Sequence, residues 1–108
     1  MRGNNIYGKE VTETEVSITL DATSTPPRWD GVYYDITNTD TSPVTITTDK
    51  DYILTYPPTI TDAQFTAYQA AGIRPWGAVT DGQIRLKATG TVPTIDLPMV
   101  LIVREKNL

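Results

Sequence analysis

Two short runs hold the densest set of oxygen ligands in this chain. Asp35, Asn38 and Asp40 fall within six residues, and Asp49 and Asp51 flank Lys50. Carboxylate and amide oxygens in loops suit a hard cation such as Ca²⁺. Neither run has the spacing of a calcium loop, and a lysine sits inside the second. The plainer reading is turn chemistry, in which Asp and Asn side chains bond their own backbone. A carboxylate pair could also run glycoside hydrolysis, and Asp30 beside Trp29, with Tyr33 and Tyr34 near, is the best placed. Trp and Tyr also make sugar-binding platforms, so Trp29, Tyr33 and Trp76 are candidate ligand contacts. Against this, Trp29 packing at the start of a strand, with Asp30-Gly31 as a turn, explains the same residues. Ser17, Ser24 and Ser42 have no histidine to activate them, because the chain contains no His and no Cys. The usual general base, the usual thiolate and the usual soft-metal ligands are therefore missing. The sequence points away from an enzyme, with no cofactor or metal, and towards a binding or assembly module.

The elements that must position these residues are mostly strands. A chain of 108 residues fits one domain with one core. Residues 10–20 alternate, with Val16, Ile18 and Leu20 on one face and Glu15, Ser17 and Thr19 on the other. Residues 31–38 put Val32, Tyr34 and Ile36 on one face and Tyr33 and Asp35 on the other. Residues 38–43 read as a turn and 44–48 as a short strand with Val44 and Ile46 inward. Tyr52, Leu54 and Tyr56 alternate along a fourth strand. Thr61 and Gln64 then match a capping box, and Gly72 fits the position after a helix end. That predicts one short helix near 62–71, held by Phe65 and Tyr68. Asp81-Gly82 predicts a type I′ hairpin between strands at 77–80 and 83–89, with Val79 opposite Ile84. Ile84 and Leu86 then point inward, Arg85 and Lys87 outward.

The last strand is apolar on both faces, with Leu97, Met99, Leu101 and Val103 on one side and Val100 and Ile102 on the other. Such a strand is central in a sheet stack or lies at a subunit contact, so Val100 and Ile102 are candidate interface residues. Residues 99–103 are expected to be mostly buried. Trp76, in a loop between Pro75 and Gly77, is a core lid or an interface anchor. About seven strands with frequent turn signals predict an all-β fold, an antiparallel β-sandwich of immunoglobulin-like or jelly-roll type. The whole chain, residues 1–108, is expected to form this single domain, with residues 1–9 as an N-terminal arm on a neighbouring subunit.

Charge narrows the partners. Thirteen acidic against nine basic residues give a net charge of −4, with no Lys/Arg cluster to grip a nucleic-acid backbone. No apolar run approaches a membrane span, and the polar opening residues lead to the expectation of no leader peptide. The expectation is synthesis in a cytoplasm, no disulfides and no membrane.

In character the chain resembles the small structural proteins of bacteriophage virions, the head-decoration, head-fibre and tail-adaptor proteins. The resemblance rests on YDITNTDTSPVTI at 34–46, AQFTAYQAA at 63–71 and GTVPTIDLP at 90–98 before an apolar strand. It implies a non-catalytic β-domain, located in the virion and repeated around a symmetric particle. It also implies capsid or tail subunits as partners and a homo-oligomer, a trimer before other states. A carbohydrate- or receptor-binding module of tail-fibre type, with a glycan as ligand, is the alternative.

Overall fold

The computed structural model describes residues 12–105. Among these, six strands and two short helices follow one another: β1 (Glu13–Leu20), β2 (Tyr33–Thr37), α1 (Asn38–Thr41), β3 (Lys50–Thr55), α2 (Asp62–Ala71), β4 (Ile73–Pro75), β5 (Gln83–Ala88) and β6 (Leu97–Glu105). They form two three-stranded antiparallel sheets, ordered β1-β6-β3 and β2-β5-β4, here called sheets A and B. The fold is mostly β. The chain moves from one sheet to the other at every step except β4 to β5, so most ladders join residues far apart in sequence.

Alternation decides which side chains enter the core. Ile18 and Leu20 of β1, Tyr34 and Ile36 of β2, Ile84 and Leu86 of β5, and Leu97, Met99, Leu101 and Val103 of β6 are buried in one cluster. The inward faces of both sheets contribute to it. Fully burying one such side chain contributes about 1.5–3 kcal/mol. Tyr34 also ties sheet B to β1. Its hydroxyl accepts from the Asp21 N–H at 3.0 Å and donates to the Thr19 carbonyl at 3.2 Å.

β6 is the central strand of sheet A, and residues 99–103 alternate between buried and half-buried, as expected. Pro98 lies opposite Thr19, while the β3 ladder starts only at Val100. The proline thus sits where β6 has a partner on one side alone, the position that tolerates a missing N–H.

The expected helix is α2. The Thr61 N–H donates to Gln64 Oε1 at 2.9 Å, the Gln64 N–H donates to Thr61 Oγ1 at 3.2 Å, and Gly72 closes the helix at φ 56°. Residues after β5 satisfy the helix end. The Thr91, Gly90 and Thr89 N–H groups donate to the Ala70, Ala71 and Gly72 carbonyls. Gly90 is required there, since a Cβ would lie 2.2 Å from the Ala70 carbonyl oxygen. Ala71 is buried, Ala67 and Tyr68 pack on the core, and Phe65 and Tyr68 contact Tyr56 at ring-centroid distances of 5.1 and 5.3 Å.

Four expectations need correction. Six strands stand where about seven were expected. Residues 44–48 form no ladder, because side chains take their backbone groups. Asn38 Oδ1 accepts from the Ile46 N–H at 2.8 Å, and the Tyr52 hydroxyl accepts from the Thr47 N–H at 2.8 Å and donates to the Thr47 carbonyl at 2.9 Å. Ile46 is inward nonetheless and fully buried. The turn at 38–43 begins as the one-turn helix α1, because the Asp40 carboxylate accepts from the Thr37 N–H at 2.8 Å.

The hairpin partner of β5 is β4, which reads in sequence as a connection. The expected strand at 77–80 reduces to a bridge between Thr80 and Gln83. Gly82 has φ 85°, and among the described residues none other than glycine has positive φ. The Asp81-Gly82 turn therefore has the sign pattern of type II rather than I′. Residues 1–9, the expected arm, lie outside the described residues.

Candidate functional site

Antiparallel register groups the outward side chains into two faces. On sheet A, β6 presents Pro98, Val100, Ile102 and Arg104 between Ser17, Glu15 and Glu13 of β1 and Thr55, Ile53 and Asp51 of β3. Ile102 lies directly between Glu15 and Ile53, and Val100 between Ser17 and Thr55. Val100 and Ile102 are half-buried, while Ile53 at the β3 edge is 46 % exposed. An apolar stripe of three β-branched residues therefore crosses the middle of this face. Arg104 pairs with Glu13 at one end, through Nε at 2.9 Å.

On sheet B, β5 presents Gln83, Arg85 and Lys87 between Thr37, Asp35 and Tyr33 of β2 and Arg74 of β4. Trp76 continues β4 by one ladder bond, its N–H donating to the Arg85 carbonyl at 2.9 Å. This places Lys87 between two rings. Its Nζ is 4.1 Å from the Trp76 centroid and 5.9 Å from the Tyr33 centroid. The Arg85 guanidinium lies 4.9 Å from the Tyr33 centroid and donates to both carboxylate oxygens of Asp35, at 2.9 and 3.1 Å. The Arg85 hydrogen bond, outweighing partial burial, holds the Asp35 carboxyl below its usual range. Arg74 and Lys87 have no ion-pair partner among the described residues.

The candidate contacts thus divide. Tyr33 and Trp76 meet on the outward face of sheet B, and Val100 and Ile102 share the outward face of sheet A. Trp29 belongs to neither, which corrects its reading as a contact. It is 7 % exposed, its ring stands edge-on to Tyr34 at 5.1 Å, and its Nε1 has no hydrogen-bond partner among the described residues. The cause is a two-residue turn, in which Asp30 and Tyr33 exchange both backbone hydrogen bonds around Gly31 at φ 62°. One step beyond that bridge, Trp29 stands opposite Tyr34, the inward tyrosine of the pair.

The oxygen-rich run at Asp35, Asn38 and Asp40 is occupied by the protein itself. Asp35 is held by Arg85, the Asn38 amide by the Ile46 N–H, and Asp40 by Arg28 at 2.9 and 2.8 Å and by the Thr37 N–H. Burial would raise the Asp40 pKa, but the hydrogen bonds from Arg28 and Thr37 outweigh it and hold the carboxyl low. Arg28 also lies 4.7 Å from the Tyr34 centroid.

Sequence reading missed Lys87, Arg85 and Asp35 as one unit with Tyr33 and Trp76, and missed Ile53. Alternation already placed Arg85, Lys87, Asp35 and Ile53 outward. What it lacked was the β4–β5 register, which brings Trp76 alongside Arg85. The described residues enclose no pocket. No described helix is long and apolar enough to cross a membrane. Comparison with known protein families, with curated proteins and with solved structures finds no match to this chain.

Proposed function

We propose that this chain is a non-catalytic structural protein of a phage virion, a capsid-decoration subunit that binds other virion subunits. The observation that carries the reading is the apolar stripe of Val100, Ile102 and Ile53 across the outward face of sheet A. A central strand with aliphatic residues on both faces serves two apolar environments, one of which is the core. Ser17 and Thr55 flank Val100 and Glu15 flanks Ile102 on the edge strands, and Ile53 is left open to a second surface. The two sheets, joined by repeated crossings, are then the halves of a β-sandwich, immunoglobulin-like or jelly-roll in type. The resemblance in character to small virion proteins supports the same reading.

Mass spectrometry of gradient-purified particles from the source lysate tests it. Many copies per particle are expected, and particles lacking the chain would overturn the proposal.

The pairing of Tyr33 and Trp76 through Lys87 favours a second reading, a glycan-binding module of tail-fibre type. Its test is Trp76 fluorescence on titration with neutral and acidic glycans, with Trp76→Phe as control for buried Trp29. A saturable change lost in the variant supports it, and no change excludes the glycans tried.

A further inference from the structure

The two outward faces are opposites in charge. Sheet B presents three cations, Arg74, Arg85 and Lys87, against two carboxylates, Asp35 and the exposed Asp30 opposite Tyr33. Sheet A presents three carboxylates, Glu13, Glu15 and Asp51, and one cation, Arg104. Each face spends one charge of each sign on an internal pair, Arg85 with Asp35 and Arg104 with Glu13. Lys87 and Arg74 on one face, and Glu15 on the other, have no ion-pair partner among the described residues. Both faces are three strands wide. Both carry an apolar centre, the Trp76 and Tyr33 rings on sheet B and the Ile53, Ile102 and Val100 stripe on sheet A.

We infer that these faces bind each other between copies: the outward face of sheet B on one copy docks on the outward face of sheet A of the next. This rests on the reading of the chain as a repeated structural subunit and names the partner as a second copy of itself. Like-on-like docking is opposed, since A on A sets the acidic excess of one face, Glu15 foremost, against the same excess, and B on B sets Lys87 and Arg74 against their own copies. A on B matches unlike charges and covers the exposed Ile53 with the exposed Trp76. The contact is heterologous, so it leaves one free face at each end and propagates to a ring or a filament.

The experiment is sedimentation equilibrium on the full chain and on two variants. One variant, Arg74→Glu with Lys87→Glu, spoils face B and keeps face A. The other, Glu15→Gln with Ile53→Asn, removes the unpaired charge and the apolar centre of face A and keeps face B. The wild-type chain is expected to associate beyond a dimer, weakening on the order of tenfold or more when salt rises from about 0.05 to about 0.5 M. Each variant alone is expected to be monomeric. Their mixture is expected to form a one-to-one heterodimer and nothing larger, because each supplies the face the other lacks.

The inference is overturned by a wild-type chain that stays monomeric at low salt. It is also overturned if either variant dimerises alone, or if the mixture stays monomeric while the wild type associates. Circular dichroism checks that each variant folds. If a double variant does not fold, Lys87→Gln and Glu15→Gln replace them, each expected to weaken wild-type association several-fold, and no weakening in either overturns the contact. A chain abundant in particles yet monomeric alone sinks this contact and leaves the virion reading standing. Association through these faces by a chain absent from particles does the reverse.

Discussion

β5 and β6 are both central strands of three-stranded sheets, and both send Leu or Ile into the same core. Their outward sides differ. β6 turns out Pro98, Val100 and Ile102, whereas β5 turns out Gln83, Arg85 and Lys87. On sheet B the aromatic surface lies beneath cations of its own face, with Lys87 over Trp76 and Arg85 over Tyr33. The long Lys and Arg stems cover ring surface while their heads stay in water. On sheet A nothing of that kind among the described residues covers Ile53, whose neighbour across the ladder is another isoleucine. One face covers its apolar surface largely from within; the other leaves Ile53 exposed. The same strand geometry thus produces two kinds of exterior, and the difference lies in the residues at alternate positions of two strands.

The largest effect should separate the two sides of β6. Leu101 is 1 % exposed and faces the core. Leu101→Ala is expected to cost about 2–5 kcal/mol in urea unfolding, from lost burial and the cavity left behind. Ile102→Asp, one residue on, is expected to cost under about 1.5 kcal/mol in the dilute chain while abolishing self-association, since its face meets water there. If Ile102→Asp unfolds the chain as thoroughly as Leu101→Ala, the outward side of β6 is core and the contrast between the faces disappears.

A second contrast lies within sheet B, where β2 carries an Arg, Asp and Tyr set on each side. Arg28, Asp40 and Tyr34 form the inner set, and Arg85, Asp35 and Tyr33 the outer one. The Asp40 side chain is 14 % exposed and that of Asp35 is 35 % exposed. Asp40→Ala takes the carboxylate from a half-buried guanidinium, which keeps only the Asp35 carbonyl, and from the Thr37 N–H, and is expected to cost about 2–3 kcal/mol. Asp35→Ala breaks an exposed pair and is expected to cost under about 1 kcal/mol. Equal costs would mean that the outer set is as shielded as the inner one.

Acid should read the same difference. Both carboxyls are held below the usual aspartate range in the folded chain, Asp35 by the hydrogen bond from Arg85 and Asp40, against its burial, by those from Arg28 and Thr37. Their contribution to stability is therefore complete above the unfolded value and is lost as pH falls through the folded one. Urea midpoints measured downward from about pH 5 should fall, and Asp40→Asn should flatten that fall more than Asp35→Asn. Asp21, also held low by the Thr23 and Ser24 N–H groups, keeps part of the slope in both variants.

The strands with strict alternation were legible in the sequence, as was α2. Val16 to Leu20, Tyr34 with Ile36, and Leu97 to Val103 carry a period that only a half-buried ladder satisfies. The helix was marked at both ends by side chains that bond its own backbone. Residues 44–48 were misread because their pattern fits a strand. Their partners are the Asn38 amide and the Tyr52 hydroxyl, which no local period announces. Trp29 was misplaced for a related reason, as its position follows from a turn register at Asp30 and Tyr33 rather than from its own neighbours. The site on sheet B was half visible. Tyr33 and Trp76 stood out by type, but β4 is three residues long and includes a proline, too little for its pairing with β5 to register.

The smallest effect bears most directly on whether face B is completed from within. Trp76 is 44 % exposed, so truncation removes little burial, and a cation over a ring at such a site is worth about 0.5–1 kcal/mol. A double-mutant cycle of Trp76→Ala with Lys87→Gln, read by urea unfolding, should return a coupling in that range. The cycle of Tyr33→Leu with Lys87→Gln should return less, because 5.9 Å lies near the limit of useful reach. Tyr33→Leu with Arg85→Gln should return an intermediate value at 4.9 Å, reduced because the same guanidinium is shared with Asp35. The ordering matters more than the sizes, since it follows distance. Zero coupling in all three cycles would leave the rings of sheet B as uncovered as Ile53 on sheet A. Both exteriors would then be open apolar surfaces, and only charge would distinguish them.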